Sequence, residues 1–323
     1  MMETLLRNWI VAAIITIALL LLLWYPDFAG YNPARLSFLL PCTGTTYDGS
    51  LFDSTGYRLL TILMAVVNGL VLLILSLRYL LLGRANVILP LCYLLVIFSF
   101  PQARVFSTAY PATLLAILGL FSLFKAGEVK NPMASLFLSA FFVGCACLLF
   151  LPSMVIALSF IAIAITLHLF YGRNILVFLG GLILTLGGCL FCRYLFWGEM
   201  GITYNTMLNL HLKIVPATPA GLFMGIFFFY LFIRAVARWL RRAFGNQTYR
   251  NRTLAAFIWM CIICGAPLLL FTDQAFGYLP LFAVPASILL TYYFSDERLT
   301  NRMKVEFIVL LLAIALNQVA YFM

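Results

Sequence analysis

Residues 234–252 read Arg234-Ala-Val-Ala-Arg238-Trp-Leu-Arg241-Arg242-Ala-Phe-Gly-Asn-Gln-Thr-Tyr-Arg250-Asn-Arg252. Six arginines and no acid fall within these nineteen positions. Long apolar runs flank them at 217–233 and 254–271, each close to the length of a bilayer span. Arginines massed between two spans are a strong positive-inside signal, so 234–252 is expected to form a cytoplasmic loop. The side of every other connection then follows by counting spans.

Composition points the same way. Of 323 residues, 65% are hydrophobic and 9% charged, against about 25% charged in a soluble domain. Water cannot solvate such a surface, so the solvent is lipid. The expected fold is all-α, a polytopic transmembrane helical bundle. A single integral membrane domain covers 1–323, with room for about eleven spans. The net charge of +10 does not point to nucleic acid, because most basic residues sit at helix ends on one side. There they meet anionic lipid headgroups, and membrane lipids are the expected partners. The first apolar segment, 9–25, follows Arg7 and ends in Trp24-Tyr25-Pro26. That ending is an interfacial anchor rather than a cleavage site, so the segment reads as a retained span.

The expected spans are 9–25, 58–77, 86–100, 111–124, 133–150, 153–171, 175–197, 217–233, 254–271, 279–294 and 305–321. An N-terminus in the cytoplasm places fifteen of the twenty Lys and Arg residues inside and the C-terminus outside. The expected location is a bacterial inner membrane. Two spans are short: 86–100 and 111–124 would measure about 21–23 Å as helices, against about 30 Å of hydrocarbon. They either borrow flanking residues or form a re-entrant hairpin. Pro101 and Pro111 frame their connection, Pro111 at a first helical turn where its missing N–H is harmless. The main outer segments are 26–57, whose apolar piece 36–40 can lie flat at the interface, and 198–216.

Residues able to carry chemistry are few. Asp27 lies just past the outer end of the first span, where a partly apolar cleft would raise its pKa and make it a general base; the plainer reading is a solvated helix-end acid. Arg35, Arg104 and Lys213 stand on the side that the positive-inside rule disfavours, with Arg58 and Arg193 at outer span ends. They suit a lipid-linked phosphate or diphosphate, or else pair with the outer acids Asp27, Asp48, Asp53, Glu199 and Asp273. His211, in the outer 198–216 segment, is a candidate acid–base or phosphate contact. His168 lies at the other face and reads as an interfacial helix end. Asp48 and Asp53 lack the further oxygens a metal needs. Cys189–Cys192 and Cys261–Cys264 have Cys-X-X-Cys spacing but lie inside apolar spans and read as small buried residues. No metal or cofactor is expected. Walker A, Gly-X-Gly-X-X-Gly, Gly-X-Ser-X-Gly and His-Glu-X-X-His patterns are absent. Every Asp and Glu falls in a loop or at a span end, which argues against an ion-coupled transporter.

The order of parts resembles the membrane core of C-type glycosyltransferases, which use polyprenyl-phosphate sugars. A first span ends in Asp27, a long outer loop carries a flat-lying piece, and short paired spans meet between Pro101 and Pro111. Leu138-Ser-Ala-Phe-Phe-Val-Gly-Cys-Ala-Cys-Leu-Leu-Phe-Leu-Pro-Ser-Met154 then turns at a proline. Residues 78–197 also resemble an uncharacterised family of polytopic membrane proteins from Bacteroidetes-type bacteria. The matching pieces are Arg78-Tyr79, Leu89-Pro-Leu-Cys-Tyr93, Phe142-Val-Gly-Cys-Ala-Cys-Leu-Leu-Phe-Leu-Pro152 and Tyr171-Gly-Arg173-Asn174. The transferase resemblance implies that Asp27 acts as base on an acceptor hydroxyl, while Arg58, Arg104, Lys213 or His211 holds the leaving phosphate. The implied partner is a polyprenyl-phosphate sugar or glycolipid at the outer face. Asp27 has no neighbouring Glu and the 101–110 turn carries no acid, so a descendant without activity fits the layout as well. A non-catalytic subunit or scaffold of an envelope assembly, bound to a membrane protein partner, is the alternative. A lipid transporter or flippase is a third, disfavoured by the lack of mid-depth charge.

Overall fold

The computed structural model describes residues 37–39, 46–48, 54–79, 81–82, 88–100, 106–150, 153–169, 171–197, 219–243, 249–270, 275–295 and 301–322. Ten α-helices account for nearly all of them. These are α1 (Ser54–Arg78), α2 (Ile88–Phe98), α3 (Ala109–Glu128), α4 (Met133–Leu149) and α5 (Met154–Thr166). They continue with α6 (Gly172–Trp197), α7 (Pro219–Ala243), α8 (Tyr249–Leu270), α9 (Leu279–Phe294) and α10 (Asn301–Phe322). A 3-10 turn at Ala275–Tyr278 leads into α9. The helical expectation holds, with one small addition. Strands β1 (Ser37–Leu39) and β2 (Thr46–Asp48) pair antiparallel, Phe38 opposite Tyr47. Most of the apolar piece at 36–40 is thus one side of a short ladder.

Among the described residues five helices are long and apolar enough to cross a membrane: the segments Leu59–Arg78, Ala109–Glu128, Gly172–Cys189, Gly221–Arg241 and Asn251–Leu268. The chain is a membrane-embedded protein. Lipid as solvent also explains its surface, where Leu63, Ile74, Leu176, Ile183, Ile226 and Phe229 stand open. Only 17% of the α6 and α7 segments is buried inside the protein, against 67% of the α3 segment. So α6 and α7 lie at the periphery and α3 lies inside.

The centre is built from two helices, α9 and α2. All residues of α9 except Phe282 are buried, and nine of the eleven in α2. The two pack on each other, and α9 also meets α3, α7 and α8. Eleven residues give α2 a length of about 16 Å. Of the expected short pair, only this first member is short. The second begins at Ala109 and runs to Glu128, because the flanking residues, through Lys125, continue the helix.

Small residues set the closest contacts, as in membrane bundles where no water-driven force holds helices together. α4 lies against α6 so tightly that a Cβ on Gly144 would sit 2.7 Å from the Thr185 Cβ. One on Gly181 would meet the Ala140 Cβ at 2.8 Å. Residues 140 and 144 facing 181 and 185 show that α4 and α6 run in the same direction. Asn68 of α1 donates to the Tyr110 carbonyl at the start of α3 (3.1 Å), and the Tyr79 hydroxyl to the Phe121 carbonyl (3.0 Å), so those two helices are parallel as well.

Candidate functional site

The arginine stretch corrects the sequence reading. α7 does not stop at 233 but continues to Ala243, and α8 starts at Tyr249. Residues 234–252 are largely two helix ends rather than a loop. Arg, Ala and Leu are strong helix formers, and nothing before Gly245 breaks the pattern. On the continued helix Tyr230, Arg234 and Arg238 recur every fourth residue and therefore share a face.

That face meets Glu306 of α10. The Glu306 side chain is 9% exposed, and two tyrosine hydroxyls donate to it. Tyr230 reaches Oε1 at 2.9 Å, and Tyr293, in the last turn of α9, reaches Oε2. Arg302 Nε stands 3.3 Å from Oε1 as an i,i+4 pair on α10, and Arg234 Nη2 lies 3.8 Å from the same oxygen. The hydroxyls are in turn held by guanidiniums. Arg234 Nη2 donates to Tyr293 at 3.3 Å and Arg302 Nη2 to Tyr230 at 3.3 Å. Arg238 caps the end of α9 by donating to the Tyr293 carbonyl (3.2 Å), and its guanidinium lies over the Tyr293 ring. The hydrogen bond to Tyr230, together with the Glu306 charge, holds the Arg302 guanidinium charged even more firmly than usual.

Two guanidiniums, those of Arg234 and Arg302, flank the Glu306 carboxylate, so among the described residues the cluster keeps a positive excess. Its geometry brings the ends of α7 and α9 to the start of α10. At the far end of α10, Asn317 Nδ2 donates to the Ser99 carbonyl and Gln318 Nε2 to the Phe98 carbonyl, both at 2.8 Å. These carbonyls end α2 without intrahelical partners, and the amides satisfy them where water is scarce. α10 is thus pinned at both ends by polar contacts.

Of the expected site residues, Asp27, Arg104, His211 and Lys213 lie outside the described residues. Arg58 falls in the second turn of α1, with its side chain outside the described set. Asp53 and the segment 198–216 are likewise outside, while Asp48 ends β2. Cys261 and Cys264 are buried free thiols, and the Cys264 Sγ lies 3.4 Å from the Ser159 Oγ. Among the described residues no three His, Cys, Asp or Glu side chains come together as metal ligands. His168, just past the α5 C-cap Leu167, ends the helix in the left-handed region, with φ 57°. The bond from Leu169 N to the Ala164 carbonyl (2.9 Å) closes it.

The Glu306 cluster is not visible as a site in the sequence, because the massed charge assigns Arg234 and Arg238 to a loop. The usable signals were Tyr230-X3-Arg234-X3-Arg238 and Arg302-X3-Glu306, both at helical spacing. Comparison with family models, with curated proteins and with solved structures finds no match to this chain.

Proposed function

We propose that the chain is a polytopic protein of the bacterial inner membrane, with about eleven spans, its N-terminus in the cytoplasm and its C-terminus outside. Support comes from the helix directions. Strict alternation requires α7 and α9 to finish on the side where α10 begins, and Arg234, Tyr293 and Glu306 meet there. In that membrane the protein acts on or binds a lipid-linked sugar at the outer face. Asp27 serves as general base, and Arg58, Arg104, Lys213 and His211 face the phosphate. The observation that carries this reading is the place of Asp27, directly after Trp24-Tyr25-Pro26 and at the start of the long outer segment. It is the layout of the transferases that the chain resembles.

Native mass spectrometry of protein gently extracted from its own membrane tests the proposal. A bound polyprenyl-phosphate or glycolipid, lost in Asp27→Asn and Arg104→Ala variants that still fold, is the expected result. A stoichiometric protein partner with no such lipid would replace it with the second reading, a non-catalytic subunit of an envelope assembly. That reading is favoured by the use to which buried polar groups are put: Asn68, Asn317, Gln318 and Glu306 all tie one helix to another.

A further inference from the structure

We infer that the Arg234–Arg302 edge of the Glu306 cluster is a binding site for the phosphate headgroup of an acidic phospholipid. The inference stands apart from the proposed outer site, since it uses the opposite end of α10. Arg302 is 65% exposed and Arg234 34% exposed at the side chain. Each commits only Nε and Nη2 to the cluster, Arg302 to Glu306 and Tyr230, Arg234 to Tyr293 and Glu306. A guanidinium has five N–H donors, so among the described residues the Nη1 edge of each has no partner and is open to a ligand. The shared carboxylate holds both side chains in place, which lowers the ordering cost of binding. Among the described residues two guanidinium charges face the one carboxylate, and the excess favours an anion. The start of α10 adds its positive dipole end.

The lipid character follows from what leads away from these arginines. On α10, Val305, Ile308, Leu312 and Leu316 form an exposed apolar stripe that begins one turn after Arg302. On the adjoining α7, Ile226, Phe229 and Ile233 form another that ends beside Arg234. An acidic phospholipid can place its phosphate on the guanidinium forks and lay its acyl chains along both stripes. A free phosphate has no use for them.

The test is lipid retention by the full-length protein exchanged from detergent into nanodiscs or mixed micelles. Phosphatidylglycerol and phosphatidylcholine are supplied at equal amounts and bound lipid is counted by native mass spectrometry. The wild type should hold phosphatidylglycerol preferentially. Arg302→Ala should weaken that retention about tenfold, the scale of one charge-assisted contact. Arg302→Lys should recover part of it, and Arg173→Ala, an equal charge loss on exposed α6, should leave it unchanged. Arg302 stands largely clear of the protein, so this variant keeps its fold; Arg234→Lys serves as the second variant. Equal retention of both lipids, an unaffected Arg302→Ala, or an equal loss in Arg173→Ala overturns the inference. Displacement of the lipid by millimolar inorganic phosphate would reassign the site to a free phosphate and overturn its lipid character.

Discussion

The Tyr293 hydroxyl donates to the Glu306 carboxylate and so ties the last turn of α9 to the second turn of α10. The bond joins the most buried helix of the bundle to the last one in the described chain. Tyr293 shares that carboxylate with Tyr230, Arg234 and Arg302. Glu306→Ala should leave Tyr230, Tyr293, Arg234 and Arg302 without their common acceptor. The expected cost is about 3 kcal/mol, the low end for breaking a buried pair, because Arg302 stands in solvent. Tyr293→Phe removes one hydrogen bond and should cost about 1–2 kcal/mol. Thermal unfolding of both variants in detergent orders them; an equal cost would mean that the carboxylate adds nothing beyond that one bond.

Asn317 and Gln318 should matter through the carbonyls they satisfy. Asn317→Leu leaves the Ser99 carbonyl, and Gln318→Leu the Phe98 carbonyl, without its side-chain donor. Each should lower stability by about 1 kcal/mol, within the range of interhelical bonds in membranes. Limited proteolysis of the connection after α2 should accelerate in both, because the helix end they hold is released.

The glycines of α4 and α6 separate into two groups. Gly144→Ala and Gly181→Ala bring a Cβ within 2.7 and 2.8 Å of Thr185 and Ala140 carbons, and each should cost about 1–3 kcal/mol by overpacking. Gly180→Ala and Gly188→Ala meet nothing within 4 Å. These should be neutral or raise stability by up to about 1 kcal/mol through helix propensity. Melting temperatures of the four variants decide it; a uniform response would contradict the close contact of α4 with α6.

His168 holds a backbone conformation that suits glycine, at φ 57°. His168→Gly should relieve the strain of a side chain there and stabilise the protein by about 0.5–1 kcal/mol, net of the freedom glycine gains in the unfolded chain. His168→Val should do the opposite, since a branched Cβ makes the left-handed region costlier. A lower melting temperature for the glycine variant would show that the imidazole does something besides ending α5.

The expected outer-face site rests on residues the structure does not describe, and its test is biochemical. Asp27→Asn should abolish any transfer from a polyprenyl-phosphate sugar while the helical content by circular dichroism is kept. Full activity in that variant would remove Asp27 from the mechanism.

Much of this molecule was decided by local chemistry and is legible in the chain itself. A 65% hydrophobic composition and apolar runs of span length determine lipid as the solvent and helices as the structure, since lipid admits only helices and closed β-barrels and the runs are too long and continuous for barrel strands. The expected segment 279–294 coincides with α9, because apolar runs mark helices wherever the solvent is apolar. What the chain could not reveal is which helices stand inside. α2 and α6 read alike as apolar segments, yet one is central and the other faces lipid, a difference set by neighbours far away in sequence. The same holds for 234–252: a run of arginines signals a membrane boundary by its charge whether it is coiled or helical. Only tertiary packing brings Tyr230, Tyr293 and Arg302 around Glu306. The burial of a carboxylate depends on partners that three separate helices deliver, and no single stretch of sequence contains that information.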